Sequence, residues 1–176
     1  ALHMKLREMG YDVSILHCFT PDDFTFRRRI YKWLMLGRTL LSQMLKGEYF
    51  SKKQKKIRKF NKQNYCHQII KTNGQYKGLL QETQIFITGS DQIWNCYNGF
   101  APFYFLDFAG DVKRIAYASS MGTSDIPPAY KSVVKELLTK FSHIGVREKT
   151  AVPIISELLE RTDIVQVSDP TFLLSS

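Results

Sequence analysis

The sequence predicts an α/β fold, a parallel sheet with flanking helices, and three observations predict it. From residue 85 onward, short β-branched and aromatic runs alternate with stretches of helical period. Strand, helix, strand, helix, strand is the pattern of a parallel sheet built through right-handed crossovers. Each apolar run also stops abruptly at polar residues: the run from Ile85 at Gly89, Ser90 and Asp91, residues 114–118 at Ser119 and Ser120, the run from Ile144 at Arg147 and Glu148, and the run from Ile164 at Ser168 and Asp169. If the strands are parallel, these four polar ends line one rim of one sheet, where open α/β sheets place their ligands. Finally, 176 residues at 44% hydrophobic and 13% aromatic suffice for an α/β domain with a packed core.

Taken in order, Leu2, Leu6 and Met9 fall at helical spacing, Gly10 supplies a left-handed stop, and residues 11–16 read as a strand. No N-cap precedes the helix, so a segment is expected before Ala1. After Pro21-Asp22-Asp23, residues 20–47 read as an amphipathic helical stretch carrying Phe26, Ile30, Trp33, Leu34, Leu40, Leu41, Met44 and Leu45 among arginines. Residues 51–61 continue as a very polar helix whose apolar face reduces to Ile57 and Phe60, and an irregular stretch follows through Asn73-Gly74. Beyond the strand at 114–120, Ser124 and Asp125 can cap a helix in which Ile126, Tyr130, Val133, Val134, Leu137, Leu138 and Phe141 form one apolar stripe. Thr150 can cap the next helix, with Pro153 tolerated in its first turn and Val152, Ile155, Leu158 and Leu159 facing inward.

The chemistry-bearing residues sit at the strand ends. A Gly-Ser-Asp turn supplies close backbone approach, a hydroxyl, and a carboxylate that could hold or deprotonate a substrate hydroxyl. The alternative is that Ser90 or Asp91 caps a helix through Gln92-Ile93-Trp94. Ser119-Ser120-Met121-Gly122 could offer hydroxyls and backbone donors to an anion or a sugar, or be a polar turn. Arg147 could contact an anion through its guanidinium fork, or form a structural ion pair with Glu148. Asp169-Pro170-Thr171 reads as a structural turn. Cys18, Cys66 and Cys96 are odd in number and far apart, and His3, His17, His67 and His143 share no ligand spacing, so neither a disulfide framework nor a metal site is expected. No Gly-rich phosphate loop is present, so no nucleotide cofactor is expected either. The cysteines suggest a reduced, cytoplasmic setting; no apolar run approaches a bilayer span, and the first residues lack the apolar core of a secretory signal.

The formal charge of +9 is concentrated: between Arg27 and Lys62 stand thirteen Lys and Arg against the single Glu48. Apolar residues beside this cationic face suit a helix lying in an anionic membrane interface. A helical hairpin packed on the domain with solvated charges is the alternative. Nucleic acid is the weakest reading, because the segment has no nucleic-acid motif and the rest of the chain is slightly acidic.

Five motifs in order carry a resemblance: Gly89-Ser90-Asp91-Gln92-Ile93-Trp94-Asn95, Tyr104-Phe105-Leu106-Asp107-Phe108, Lys113-Arg114-Ile115-Ala116-Tyr117-Ala118-Ser119-Ser120, Val146-Arg147-Glu148, and Asp169-Pro170-Thr171-Phe172-Leu173-Leu174. They resemble the polysaccharide pyruvyl transferase family, strongly from residue 85 and weakly over 20–80. The resemblance implies one Rossmann-like half of a glycosyltransferase-B-like two-domain enzyme. Residues 1–176 would be the N-terminal, acceptor-side domain, with a basic helical insertion at about 24–64 and the C-terminal domain absent. It implies transfer of a pyruvyl group from phosphoenolpyruvate to hydroxyls of a sugar, possible only with both halves, so the piece alone is expected to be inactive. The expected acceptor is a glycan, on a lipid carrier if the basic segment docks at the inner face of the plasma membrane. Candidate residues are Asp91 as base, and Gly89, Ser90, Asn95, Ser119, Ser120 and Arg147 for acceptor or anion binding. A nucleotide-sugar glycosyltransferase of the same fold and a non-catalytic glycan- or membrane-binding module are the alternatives.

Overall fold

Every strand pairing among the described residues is parallel. In the computed structural model, which describes residues 1–18, 52–64, 67–70 and 73–174, two compact units form, Leu2–Gln75 and Tyr76–Ser176.

In the first unit, helix α1 (Leu2–Glu8) is closed by Gly10 at φ +90°, and buried His3 donates from Nε2 to the Val13 carbonyl at 3.1 Å. The strand expected over 11–16 begins only at Ile15: β1 (Ile15–Cys18) pairs in parallel with β2 (His67–Ile70), register Ile15 to His67. Residues 11–14 have no strand partner, so they run as a connector. The polar helix is present as α2 (Lys52–Asn64), with Ile57 and Phe60 about half exposed. The amphipathic stretch at 20–47, and with it most of the basic segment, lies outside the described residues. The stretch before Asn73 expected to be irregular contains β2, and Asn73 opens α3 (Asn73–Glu82), which runs across the boundary of the units.

The second unit holds a four-stranded sheet in sequential order, all parallel: β3 (Ile85–Thr88), β4 (Lys113–Ser119), β5 (His143–Val146) and β6 (Val165–Gln166). The crossover from β3 to β4 is made of three short 3-10 turns, Cys96–Asn98, Pro102–Phe105 and Asp107–Ala109. Those from β4 to β5 and from β5 to β6 carry α4 (Pro128–Thr139) and α5 (Ala151–Leu159), which pack on each other. The expected apolar stripe of α4 is buried at Val134, Leu137 and Leu138, with Ile126 and Phe141 buried just beyond its ends.

Two expected caps are not formed. Helix α4 starts at Pro128, whose fixed φ and missing N–H suit the first helical position, so Ser124 and Asp125 precede it in a turn. Thr150 already has helical dihedrals and makes no capping hydrogen bond.

The core beside β3 is aromatic. Trp94, 3% exposed, stacks on Phe105 at 5.6 Å and meets Phe141 edge-on at 5.9 Å. Phe108 meets Phe86 edge-on and stacks on Phe103. Trp94 Nε1 and Thr88 Oγ1 both donate to the Tyr104 carbonyl, at 3.3 and 2.9 Å. Two of the sequence motifs, those around Trp94 and Tyr104, are thereby one packing unit that holds the chain leaving β3.

Candidate functional site

Because the four strands are parallel and adjacent in order, Gly89–Asp91, Ser119–Ser120, Arg147–Glu148 and Ser168–Asp169 leave the same edge of the sheet. The rim anticipated from the polar strand ends is therefore present. It is knitted by backbone: Ser120 N donates to Asp91 O at 3.1 Å, Trp94 N to Ser120 O at 3.1 Å, and Arg147 N to Ser119 O at 3.2 Å.

A bulge in β4 shapes it. The register with β5 shifts between Ala116 and Ser119, and buried Ala118 takes φ +53°. Bulges bend a strand and re-aim its side chains. Opposite it, Gly89 at φ +141° lies so close that a Cβ there would stand 1.8 Å from the Tyr117 carbonyl oxygen. The Gly89–Ser90 peptide is cis. No helix follows β3; residues 90–94 form a turn, so neither Ser90 nor Asp91 is a helix cap.

The predicted residues divide into three groups. Asp91 is exposed at the rim, its Oδ1 accepting only the neighbouring Gln92 N–H at 2.8 Å. Ser90 contributes its carbonyl, which accepts from Arg147 Nη1 at 2.8 Å. Ser119, Ser120 and Asn95 turn inward, contrary to the expectation that their polar groups face a ligand. Both serines are fully buried: Ser119 Oγ donates to the Thr88 carbonyl and Ser120 Oγ to Glu148 Oε1. Asn95, 8% exposed, spends its Oδ1 on the Tyr97 N–H at 3.1 Å. The reason is the bulge and turn geometry, which burial-neutral residues such as Ser and Asn do not announce in sequence.

Arg147 is the hub. Its Nη1 reaches Ser90 O and, at 3.4 Å, Asp169 Oδ2; its Nε faces Glu148 Oε1 at 3.5 Å. One guanidinium thus ties the ends of β3, β5 and β6, and Nη2 makes no hydrogen bond among the described residues. Both readings of Arg147 remain physically compatible, since an ion-paired guanidinium with one free edge can still meet an anion.

Sequence reasoning gave Glu148 only as a partner of Arg147. It also accepts the Ser120 hydroxyl, while its Oε2 is buried without a hydrogen-bond partner among the described residues. Charged residues immediately after a strand were the available signal. Asp169 accepts from Thr171 N and Oγ1 at 2.9 and 2.7 Å, as a structural turn requires. Those Thr171 hydrogen bonds, and then Arg147, hold its carboxyl below the usual aspartate range.

This carries a sign. A carboxyl whose folded pKa is lowered stabilises the fold at any pH above its unfolded value of about 3.9, and that contribution is lost as pH falls through the folded value. Glu160, held low by Lys135, and Asp163, held low by Arg161, act in the same direction. The melting temperature should therefore be flat from pH 7 to about 5 and fall below about pH 4. Asp169→Asn should melt lower at pH 7 and lose less on acidification; an unchanged acid slope would remove Asp169 from this account.

Among the described residues no three His, Cys, Asp or Glu side chains cluster as metal ligands, and no helix is long and apolar enough to cross a membrane. At the rim Arg147 is ion-paired with Glu148 and Asp169, while Asp91 stands exposed on the same edge.

The family model described as polysaccharide pyruvyl transferase matches residues 4–176, essentially the whole chain. The chain belongs to the polysaccharide pyruvyl transferase family. Neither the curated proteins nor the solved structures contain a match. Membership makes it a transferase-family chain with a glycan acceptor in general terms, and the five motifs quoted from the sequence map onto the rim and the aromatic unit that supports it. In this pyruvyl transferase chain, Asp91, Arg147 and Glu148 are charged strand-end side chains with a place at the rim between β3 and β5.

Proposed function

We propose that this chain is the acceptor side of an enzyme that moves the pyruvyl unit of phosphoenolpyruvate onto hydroxyls of a sugar destined for a cell-surface polysaccharide. The observation that carries the reading is the exposed Asp91 carboxylate at the rim, beside an Arg147 already paired with Glu148 and Asp169. An accepting carboxylate with the nearby guanidinium largely neutralised suits a neutral polyol, whose hydroxyls donate hydrogen bonds, better than a multiply charged phosphate ester. Phosphate and carboxylate of the donor require cations, which a second Rossmann-like half of a glycosyltransferase-B-like architecture would supply across a cleft. Arg147 contributes a cationic contact from this side, through Nη2.

In this reading Asp91 takes the proton of the attacking hydroxyl. The hydroxyl oxygen bonds to C2 of the enolpyruvyl group as the C2–C3 double bond opens and an acid of the complete enzyme protonates the methylene carbon; a second sugar hydroxyl then bonds to C2 as the C2–O bond to phosphate breaks, and its proton leaves with the phosphate to close the ketal. The basic segment starting at Arg27 would hold the enzyme at an anionic membrane where a lipid-linked acceptor resides.

The test is an assay of the intact protein with phosphoenolpyruvate and a panel of free and lipid-linked sugars. Phosphate release should require both substrates, and the product should show the methyl singlet of a pyruvate ketal by proton NMR. Phosphate release independent of sugar, or sugar transfer from a nucleotide donor instead, would refute the assignment.

A further inference from the structure

Asn95 and Asp125 were expected to contact an acceptor and to cap a helix; in the structure both hold Tyr97. Asn95 Oδ1 accepts the Tyr97 N–H, and the Tyr97 hydroxyl donates to both oxygens of Asp125, at 3.1 and 3.0 Å. Yet the Tyr97 side chain is in the open, 58% exposed. The two loops involved leave the ends of β3 and β4, so Tyr97 stands on the rim side of the sheet, six residues along the same loop from Asp91.

The loops are locked together. Gly122, at φ +62°, lies so close to the first loop that a Cβ would meet Gln92 Cδ at 2.7 Å and Asn95 Nδ2 at 3.0 Å. Trp94 N is tied to Ser120 O, and Thr123 Oγ1 fixes the Asp125 carbonyl at 3.0 Å. Restraining an exposed aromatic side chain at its backbone and at its hydroxyl costs conformational entropy, and exposed hydrogen bonds return little of it. What such restraint does provide is preorganisation: a ring already placed loses no further freedom when something binds on its face.

We propose that Tyr97 is a platform for the acceptor, stacking on the apolar face of a pyranose ring while Asp91 engages that sugar's hydroxyls. The inference rests on the acceptor-side reading above and adds to it a specificity element. A pyranose presents C–H groups on one face and hydroxyls around its edge, so an aromatic ring and a carboxylate carried by one loop suit both. Asn95 and Asp125 are positioning residues, acting only through Tyr97. The Asp125 carboxylate accepts a hydrogen bond from the neutral phenol, which raises the Tyr97 pKa above its ordinary value.

The experiment uses the intact protein and two readouts: saturation-transfer NMR with the methyl glycosides of galactose, glucose, mannose and N-acetylmannosamine, and acceptor KM in the phosphate-release assay. Tyr97→Phe keeps the ring and should bind glycoside within about twofold of wild type. Tyr97→Ala should weaken glycoside binding and raise acceptor KM about three- to tenfold, with the KM for phosphoenolpyruvate unchanged. Asp125→Ala removes the same hydroxyl hydrogen bond as Tyr97→Phe, so it should match Tyr97→Phe within about twofold, and the double variant should lose no more than either. Equal acceptor KM in wild type and Tyr97→Ala would overturn the platform while leaving the transferase reading standing. Equal losses in Tyr97→Phe and Tyr97→Ala would overturn it too, by moving the contact to the hydroxyl. A wild-type protein that binds no glycoside and turns over no phosphoenolpyruvate would fail the acceptor-side reading itself.

Discussion

Gly89→Ala should cost at least about 3 kcal/mol of stability, which in a chain of this size lowers the melting temperature by roughly 6–12 °C. The added Cβ would lie 1.8 Å from the Tyr117 carbonyl oxygen and 2.9 Å from its carbon. Neither atom belongs to a flexible side chain; both are backbone of β4 at the bulge, so relief requires β3 and β4 to separate. A left-handed φ of +141° adds strain of its own to any residue with a Cβ. Gly10→Ala is the internal control. Gly10 also has a positive φ, +90°, but nothing stands within 4 Å of the added carbon, so its cost should be limited to about 1 kcal/mol of backbone strain. Thermal unfolding of the two variants separates collision from strain. If they melt together, the close approach of Gly89 to Tyr117 is not what this position requires.

Gly89 also shows how far the sequence could be read. A glycine that ends a β-branched run marks a strand end, and the runs from Ile85, at 114–118 and from Ile144 were legible for the same reason: each is a short apolar run that stops abruptly at polar residues. From parallel order the rim follows by geometry alone. Strand β2 was not legible because His67-Gln68-Ile69-Ile70 offers only two apolar residues, and α3 hid behind Asn73, Gly74 and Gly78, all poor helix formers. The helix starts were misplaced because Pro127-Pro128 fixes the first turn of α4 more strongly than a serine or aspartate upstream can.

Within the site, position was legible and orientation was not. Whether Ser119 and Ser120 face a ligand or the interior depends on one positive φ at Ala118, a residue whose identity gives no warning of it. Asn95 looked like a contact and is a support for Tyr97. Glu148 was visible only as a neighbour of Arg147, because its hydrogen bond to Ser120 joins residues 28 apart in sequence. Charge at a strand end is therefore a reliable pointer to the rim, while the division between contact and scaffold is made by tertiary geometry.

Asp91→Asn should reduce turnover by about 10²- to 10⁴-fold while leaving the melting temperature within about 2 °C of wild type. The two halves of that expectation have separate causes. Everything Asp91 does for the fold is done by groups that asparagine keeps. Its backbone carbonyl accepts from Ser120 N and from Ile93 N at 2.7 Å, and its Oδ1 accepts the Gln92 N–H, a bond that an amide oxygen in the same place can also receive. What asparagine lacks is a basic oxygen able to take a proton from the attacking sugar hydroxyl. Glycoside binding should survive, since an amide still accepts a hydroxyl hydrogen bond, so the loss belongs in kcat more than in acceptor KM. Turnover within threefold of wild type would show that the proton goes elsewhere, leaving Glu148 as the remaining carboxylate between β3 and β5. A matching loss of stability would show instead that the Asp91 carboxylate holds the turn, and that the exposed position of its side chain has no catalytic meaning.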